Sequence, residues 1–478
     1  MKPASPLPDP VRVLSVVYFL ILLLALFRSA LPESLFPLGL PFLTAILSAA
    51  SLWTLRGTQG TTSFMRVGFH VGMFAFLLSF PIFSPDALPD VEDRIRSLAG
   101  WTLVLSVVGF ELSYWVLGAF RRPHVESTAE IAIPRSRQTV LTAMVVVGLV
   151  AWAATVVAVA RALQVPIISM LLTVRGKVEG TRGSVGPLLQ YVTAISGLLY
   201  FSGTGAASAL LVSGRRLSGL RRRLCWSILL LCLMLGFNRG SRAFFAFSAM
   251  PLVATSWNLL AKSPRLRSLR WPFAWSAAGG IVLIWGVMSA VRGGDAREFE
   301  GGWEEVSPER HTEAALTIYT ELERVVTACP DRVPFVYGDS LVAVFLGWFP
   351  RPFWPEKPYP FSTTFWLASH KKSLTEMRTS IAYSLPGEGY GNFGLFGGFL
   401  WAALFGAGCR MGDDRIASLP PSHPLRLQLS ALLGVWSAIL VRGGVAEMFY
   451  LGAIPIGLSW IVCRYIPSAP PPRSEPPA

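Results

Sequence analysis

Lysine is nearly absent from this 478-residue chain, with six against 36 arginines, and carboxylates are scarce, 28 against 42 basic residues, which leaves a net charge of +14. Charged residues of all kinds make up only 15%, too few to coat a soluble globule of this length. The five cysteines (Cys225, Cys232, Cys329, Cys409 and Cys463) show no pairing pattern. Four fall inside or at the end of apolar runs, so neither a disulfide framework nor a metal cage is expected. No His/Cys/Asp spacing marks a metal site, and neither a glycine-rich phosphate loop nor a Ser/His/Asp constellation occurs in a recognisable context. No cofactor and no metal are therefore expected. Internal repeats are lacking too. The first apolar run, Val11 to Phe27, has no small-residue cleavage motif behind it and reads as a first membrane span.

What is present is apolar length: 52% of the residues are apolar. Nearly uncharged runs recur, each long enough to cross roughly 30 Å of hydrocarbon as a helix. The expectation is an all-α integral membrane protein of about twelve helices, at 11–28, 36–53, 67–83, 98–120, 139–161, 187–212, 224–237, 243–261, 272–291, 394–411, 425–441 and 447–465. Residues 1–291 then hold nine spans with short loops, 292–393 one large loop, 394–466 three spans, and 467–478 a proline-rich disordered tail. Arginines crowd the short loops of one side (Arg121-Arg122, Arg215-Arg216, Arg221-Arg222-Arg223). That bias puts both termini in the cytoplasm and the long loop outside, in the periplasm. Topology thus explains the basic charge, and nucleic acid is not an expected partner. Within the loop, Arg310 to Ala328 carries Ala314, Ala315, Ile318, Leu322 and Val325, the spacing of an amphipathic helix. Proline density from Pro350 to Pro360 predicts extended backbone.

Under this topology the outer side displays arginines near helix ends: Arg175, Arg182, Arg239, Arg242 and Arg442, with Arg292, Arg351 and Arg378 from the long loop. A guanidinium fork suits phosphate oxygens; such arginines equally snorkel to the interface or pair with loop carboxylates. The turn Asn238-Arg239-Gly240-Ser241-Arg242 puts two arginines where the charge bias normally depletes them. Glu388 sits between two glycines, followed by Tyr390 and Asn392. There a carboxylate is placed to take a proton from a sugar hydroxyl, or simply to pair with an arginine. Asp339 is the second candidate base, or the cap of the helix after it. Trp348, Phe349, Phe353, Trp354, Tyr359, Phe361 and Trp366 form either sugar platforms or an interfacial belt. Glu111 and His70 lie within spans, where structural pairing is expected.

The block Trp348-Phe349-Pro350-Arg351-Pro352-Phe353-Trp354-Pro355-Glu356-Lys357-Pro358, followed by Gly387-Glu388-Gly389-Tyr390-Gly391-Asn392-Phe393-Gly394-Leu395-Phe396-Gly397, resembles the Wzy family of bacterial O-antigen and exopolysaccharide repeat-unit polymerases. The Asn238 to Arg242 turn is similar to a "G-x-R" segment of these and of O-antigen ligases. The resemblance implies a fold related to the class C membrane glycosyltransferases and a metal-independent enzyme of the bacterial inner membrane. Such an enzyme transfers a glycan from undecaprenyl diphosphate to a lipid-linked repeat unit. A chain-length-regulating co-polymerase and other Wzx/Wzy-pathway proteins are implied as partners, beside the lipid bilayer. Carried onto this sequence, it implies Glu388 as the base, and Arg175, Arg239, Arg242, Arg351, Lys357 and Arg442 as a diphosphate clamp. Arg378, Tyr390 and Asn392 complete the expected substrate site. An O-antigen ligase, with His311 or His370 as its histidine, and a lipid-linked oligosaccharide flippase or transporter are the alternatives.

Overall fold

Apolar runs interrupted by glycine and proline, without strand-type alternation, favour helices. The computed structural model is accordingly helical, with no strand among the described residues. These are residues 36–54, 63–83, 91–119, 133–162, 164, 166, 187–213, 217–238, 242–273, 275–277, 279–280, 308–346, 354, 356–370, 383–420, 422–443, 445–464 and 466. The expected helix at 11–28, most of that at 272–291 and the tail from 467 lie outside them.

The helices are α1 (Phe36–Thr54), α2 (Phe64–Met73), α3 (Ser79–Phe83), α4 (Asp93–Ala119), α5 (Arg135–Ala162), α6 (Pro187–Ser213), α7 (Gly219–Asn238) and α8 (Arg242–Lys262). They continue as α9 (Pro308–Ala328), α10 (Asp339–Phe345), α11 (Phe361–His370), α12 (Leu385–Ala417), α13 (Arg426–Arg442) and α14 (Val445–Arg464). A π-helical turn, Phe74–Leu78, joins α2 to α3. Among the described residues three helices are long and apolar enough to cross a membrane: Asp93–Gly118, Arg135–Ala158 and Leu385–Ala417. Shorter apolar stretches occur at Gly39–Ser51, Phe64–Leu78, Leu198–Ser213 and Gly452–Cys463. Several helices outrun the apolar windows that predict them. α7 starts at Gly219 rather than at 224 and takes in Arg221 to Arg223, because arginine is a good helix former that a hydropathy window discards.

Two units divide the chain. The first comprises Met1–Val125, Thr312–Ala417 and Trp436–Tyr450. Its centre is the parallel pair α4 and α12, brought together by glycine. A Cβ on Gly109 would lie 2.4 Å from the Phe399 carbonyl oxygen, and one on Gly406 would lie 2.4 Å from that of Phe110. Small residues let backbones approach this closely. Towards the far end of this pair lies a buried polar knot. The Glu111 carboxylate accepts from Arg66 Nε (2.9 Å) and Nη2 (2.5 Å), from His70 Nε2 (2.7 Å) and from Trp115 Nε1 (2.9 Å). All four acceptor positions are used, so Glu111 and His70 pair structurally as expected, with Arg66 as the cation. Asp413 extends the knot, accepting from Tyr114 Oη (2.8 Å) and from the Met65 N–H (3.2 Å).

The second unit comprises Glu126–His311, Ser418–Val435 and Leu451–Ala478. α5 and α6 run antiparallel on Gly148 and Gly203, and the Ile228 side chain of α7 packs over both glycines. α6 and α8 run parallel. Thr255 Oγ1 donates to Ser208 Oγ (2.8 Å), and Lys262 Nζ donates to the Val212 carbonyl (2.7 Å).

Candidate functional site

The glycine-rich run from Leu385 to Asn392 is helical where a loop is expected, and that difference defines the site. α12 opens at Leu385, with Ser384 Oγ accepting the Gly387 N–H at 3.2 Å, an N-cap of the usual chemistry. It then breaks at Phe393 (φ −146°, ψ 27°) and Gly394 (φ 64°, ψ −148°), the latter a conformation open to glycine and few others. The span expected from 394 begins at this break. The short leading helix folds back until backbones touch: a Cβ on Gly389 would lie 2.6 Å from the Gly397 carbonyl oxygen. Gly391 is equally committed, because a Cβ there would come within 2.1 Å of the Phe361 ring.

On this helix Glu388 is 1% exposed. Its Oε2 accepts the Val445 N–H, the first residue of α14, at 2.5 Å. A carboxylate here faces the first turn of α14 while lying in the first turn of its own helix, and both helix dipoles favour its negative charge. Arg442 ends α13 just before, half-buried, with its guanidinium 5.9 Å from the Phe76 ring centroid. The structure thus brings Glu388 and the turn carrying Arg442 together.

Asn392 is fully buried. Its Nδ2 donates to the Glu388 carbonyl (2.7 Å) and to Ser340 Oγ (2.9 Å), and its Oδ1 accepts the Gly338 N–H (2.9 Å). Both N–H donors are spent on protein, so the side chain works as a clamp between the Glu388 turn and the start of α10. Tyr390 is buried against Phe335. Asp339 is exposed and is the first residue of α10, whose cap position is Gly338 with no side-chain capping bond; the capping reading of Asp339 is corrected. The reason is local: Gly338 at φ 97° makes the turn that an Asx cap would otherwise shape. Lys357 is buried and its Nζ donates to the Leu346 carbonyl (3.4 Å) at the end of α10, a favourable place for a cation. Phe361 and Trp366 are buried, so they pack inside this unit and do not form an exposed platform. Arg242 opens α8 in the second unit. Arg175, Arg182, Arg239, Arg292, Arg351 and Arg378 lie outside the described residues.

Reading the sequence missed one constellation. α9 has the expected span and buries Ile318, Leu322 and Val325, but Tyr319, Glu321 and Glu323 are buried as well. Glu323 Oε1 stands 3.6 Å from Arg96 Nε, and neither carboxylate oxygen has a hydrogen-bond partner among the described residues. Leu322 meanwhile packs under Gly387, which sets this pair beside the glycine run. Burial pushes the Glu323 carboxyl up from 4.5 to about 7, with Arg96 opposing. Between those values the folded protein holds a proton that the unfolded chain releases, so stability falls as pH rises towards 7. Unfolding of detergent-solubilised protein is expected to show a lower midpoint at pH 8 than at pH 6. Glu323→Gln should flatten that slope, and an unchanged slope in the variant would exclude Glu323 as its source.

Among the described residues no group of three or more His, Cys, Asp or Glu side chains is arranged to hold a metal ion. The chain matches no protein-family model, no curated protein and no solved structure.

Proposed function

We propose that the protein is a polysaccharide polymerase of the Wzy type, which transfers a growing glycan from undecaprenyl diphosphate to a lipid-linked repeat unit at the outer face of the inner membrane. The observation that carries this reading is Glu388, a buried carboxylate held in a glycine-built turn against the start of α14 and the Arg442 end of α13. In this reading about twelve spans cross the bilayer, both termini are cytoplasmic and residues 292–393 face outward.

Glu388 accepts the proton of the acceptor hydroxyl as its oxygen attacks the anomeric carbon of the donor glycan. The bond from that carbon to the diphosphate breaks, and undecaprenyl diphosphate leaves with the bonding electrons. Arg175, Arg239, Arg242, Arg351 and Arg442 neutralise the charge that develops on it. Holding two lipid-tethered substrates at one depth supplies the remaining advantage.

The test is reconstitution of the purified protein in liposomes with undecaprenyl-diphosphate repeat units. A ladder of longer lipid-linked glycans is expected. Growth only on a different acceptor would identify a ligase, and transbilayer movement without new glycosidic bonds a transporter; either outcome overturns the proposal. In the same assay Arg239→Ala and Arg351→Ala should each abolish polymer at normal protein abundance. Lysine should rescue only in part, since a point charge cannot reproduce a bidentate fork. Full polymer from Arg239→Ala would return that residue to interfacial snorkelling.

A further inference from the structure

Between Glu179 and Asp295 the sequence contains no carboxylate, yet it carries thirteen basic residues there. Within the second unit the helices gather many of them at one end. α6 and α8 run parallel, and the Lys262 to Val212 bond ties their C-terminal ends together. α7 begins at Gly219, with only five residues between it and the end of α6 at Ser213, so its first turn, with Arg221 to Arg223, belongs to the same end. Beyond α8 the chain makes a 3-10 turn at Arg267–Leu269. The Arg270 guanidinium lies 4.6 Å from the Trp257 ring centroid, and Trp271 meets the same ring edge-on at 5.9 Å. That stack fixes the elbow.

The end so formed is as apolar as it is basic. Leu220 is 70% exposed, Leu269 50%, Trp271 68% and Trp275 75%. They stand among exposed Arg222, Arg223, Arg265 and Arg267. A dissolved polyanion such as RNA would use the guanidinium groups and leave the leucines and tryptophans in water. A bilayer surface uses both. Arginine forks take phosphate oxygens, while indole rings settle at headgroup depth and leucines reach the first methylenes. The absence of any acidic residue on these three helices leaves the charge for an outside partner.

We propose that this end of the second unit, built from the α6–α7 turn and the elbow after α8, is a binding surface for anionic phospholipid headgroups, with Arg222, Arg223, Arg265 and Arg267 on phosphate and Trp271 and Trp275 at the interface. The inference is independent of the polymerase reading, since it uses neither Glu388 nor any residue of the glycine run.

The test uses the full chain in nanodiscs of phosphatidylcholine with and without phosphatidylglycerol. Tryptophan emission is followed with brominated forms of each lipid, and the Trp271→Phe/Trp275→Phe protein supplies the background. Brominated phosphatidylglycerol should quench Trp271 and Trp275 more strongly than brominated phosphatidylcholine at equal content. Co-purifying lipid should be enriched in the anionic species. At about 1 kcal/mol per basic side chain near such a surface, Arg265→Gln/Arg267→Gln should reduce the preference roughly 25-fold, and raised salt should reduce it in wild type. If that pair fails to fold, Arg222→Gln/Arg223→Gln carries the same expectation. A cysteine at Ser218, labelled with an impermeant reagent in intact spheroplasts, checks that orientation is retained. Equal quenching by the two lipids, or unchanged enrichment in a correctly oriented variant, overturns the proposal and leaves these arginines as topology determinants. Displacement of the lipid preference by an RNA oligonucleotide overturns it in favour of a nucleic-acid surface.

Discussion

Glu388→Gln is expected to leave a folded protein that binds lipid-linked substrate and polymerises it at least about 10² times more slowly, the usual range for loss of a general base. The expectation depends on what the substitution preserves. In wild type Oε2 accepts the Val445 N–H at 2.5 Å; a glutamine carbonyl oxygen at the same place still accepts it. The α14 end therefore keeps its partner, while proton affinity and charge are lost. Glu388→Ala is the contrasting variant. It leaves a part-buried N–H without its partner, which costs up to about 1–3 kcal/mol, and it should lower both abundance and activity. The decisive measurement is turnover and substrate binding on purified Glu388→Gln. Near-normal turnover with normal binding would reduce Glu388 to a structural tie and pass the role of base to exposed Asp339.

The second large effect is steric. Gly391→Ala is expected to lower the unfolding midpoint sharply and abolish polymer. The new Cβ would sit 2.1 Å from two atoms of the Phe361 ring. That ring is 1% exposed and is held by Phe365 and Tyr383, so it has nowhere to go. Overpacking of this kind costs about 1–3 kcal/mol, and more where backbone must shift. Gly408→Ala, on the same helix, is the matched control, because nothing lies within 4 Å of its Cβ position. Its effect should be neutral or slightly stabilising, given alanine's better helix propensity. Phe361→Leu added to Gly391→Ala should recover part of the loss through a coupled term. Equal midpoints for the two single variants would disprove the contact.

Among the described residues, helices in the long apolar runs are readable because such runs exceed what any other local signal can override. Glu388 stood out because a charge between glycines at the edge of an apolar run is conspicuous in one dimension. Asn392 is a substrate residue only by what the resemblance implies. Its role depends on Gly338 and Ser340, more than fifty positions away, and no local pattern announces such a partner. Glu323 was invisible for a different reason. On an amphipathic helix a glutamate two residues from buried Val325 belongs by periodicity to the wet face. α9 is instead covered on more than one side, from Ile318 to Val326. Arg66 escaped notice because it lies just ahead of an expected apolar run, where a basic residue is ordinary. Only the fold shows it meeting Glu111.

The bend at Phe393 and Gly394 sets its angle through main chain resting on main chain, Gly389 against Gly397. A joint of that kind contains no side chain whose gradual replacement could retune it. Substitutions around the Glu388 carboxylate can then change what surrounds it, while the direction in which it points stays set by the main chain.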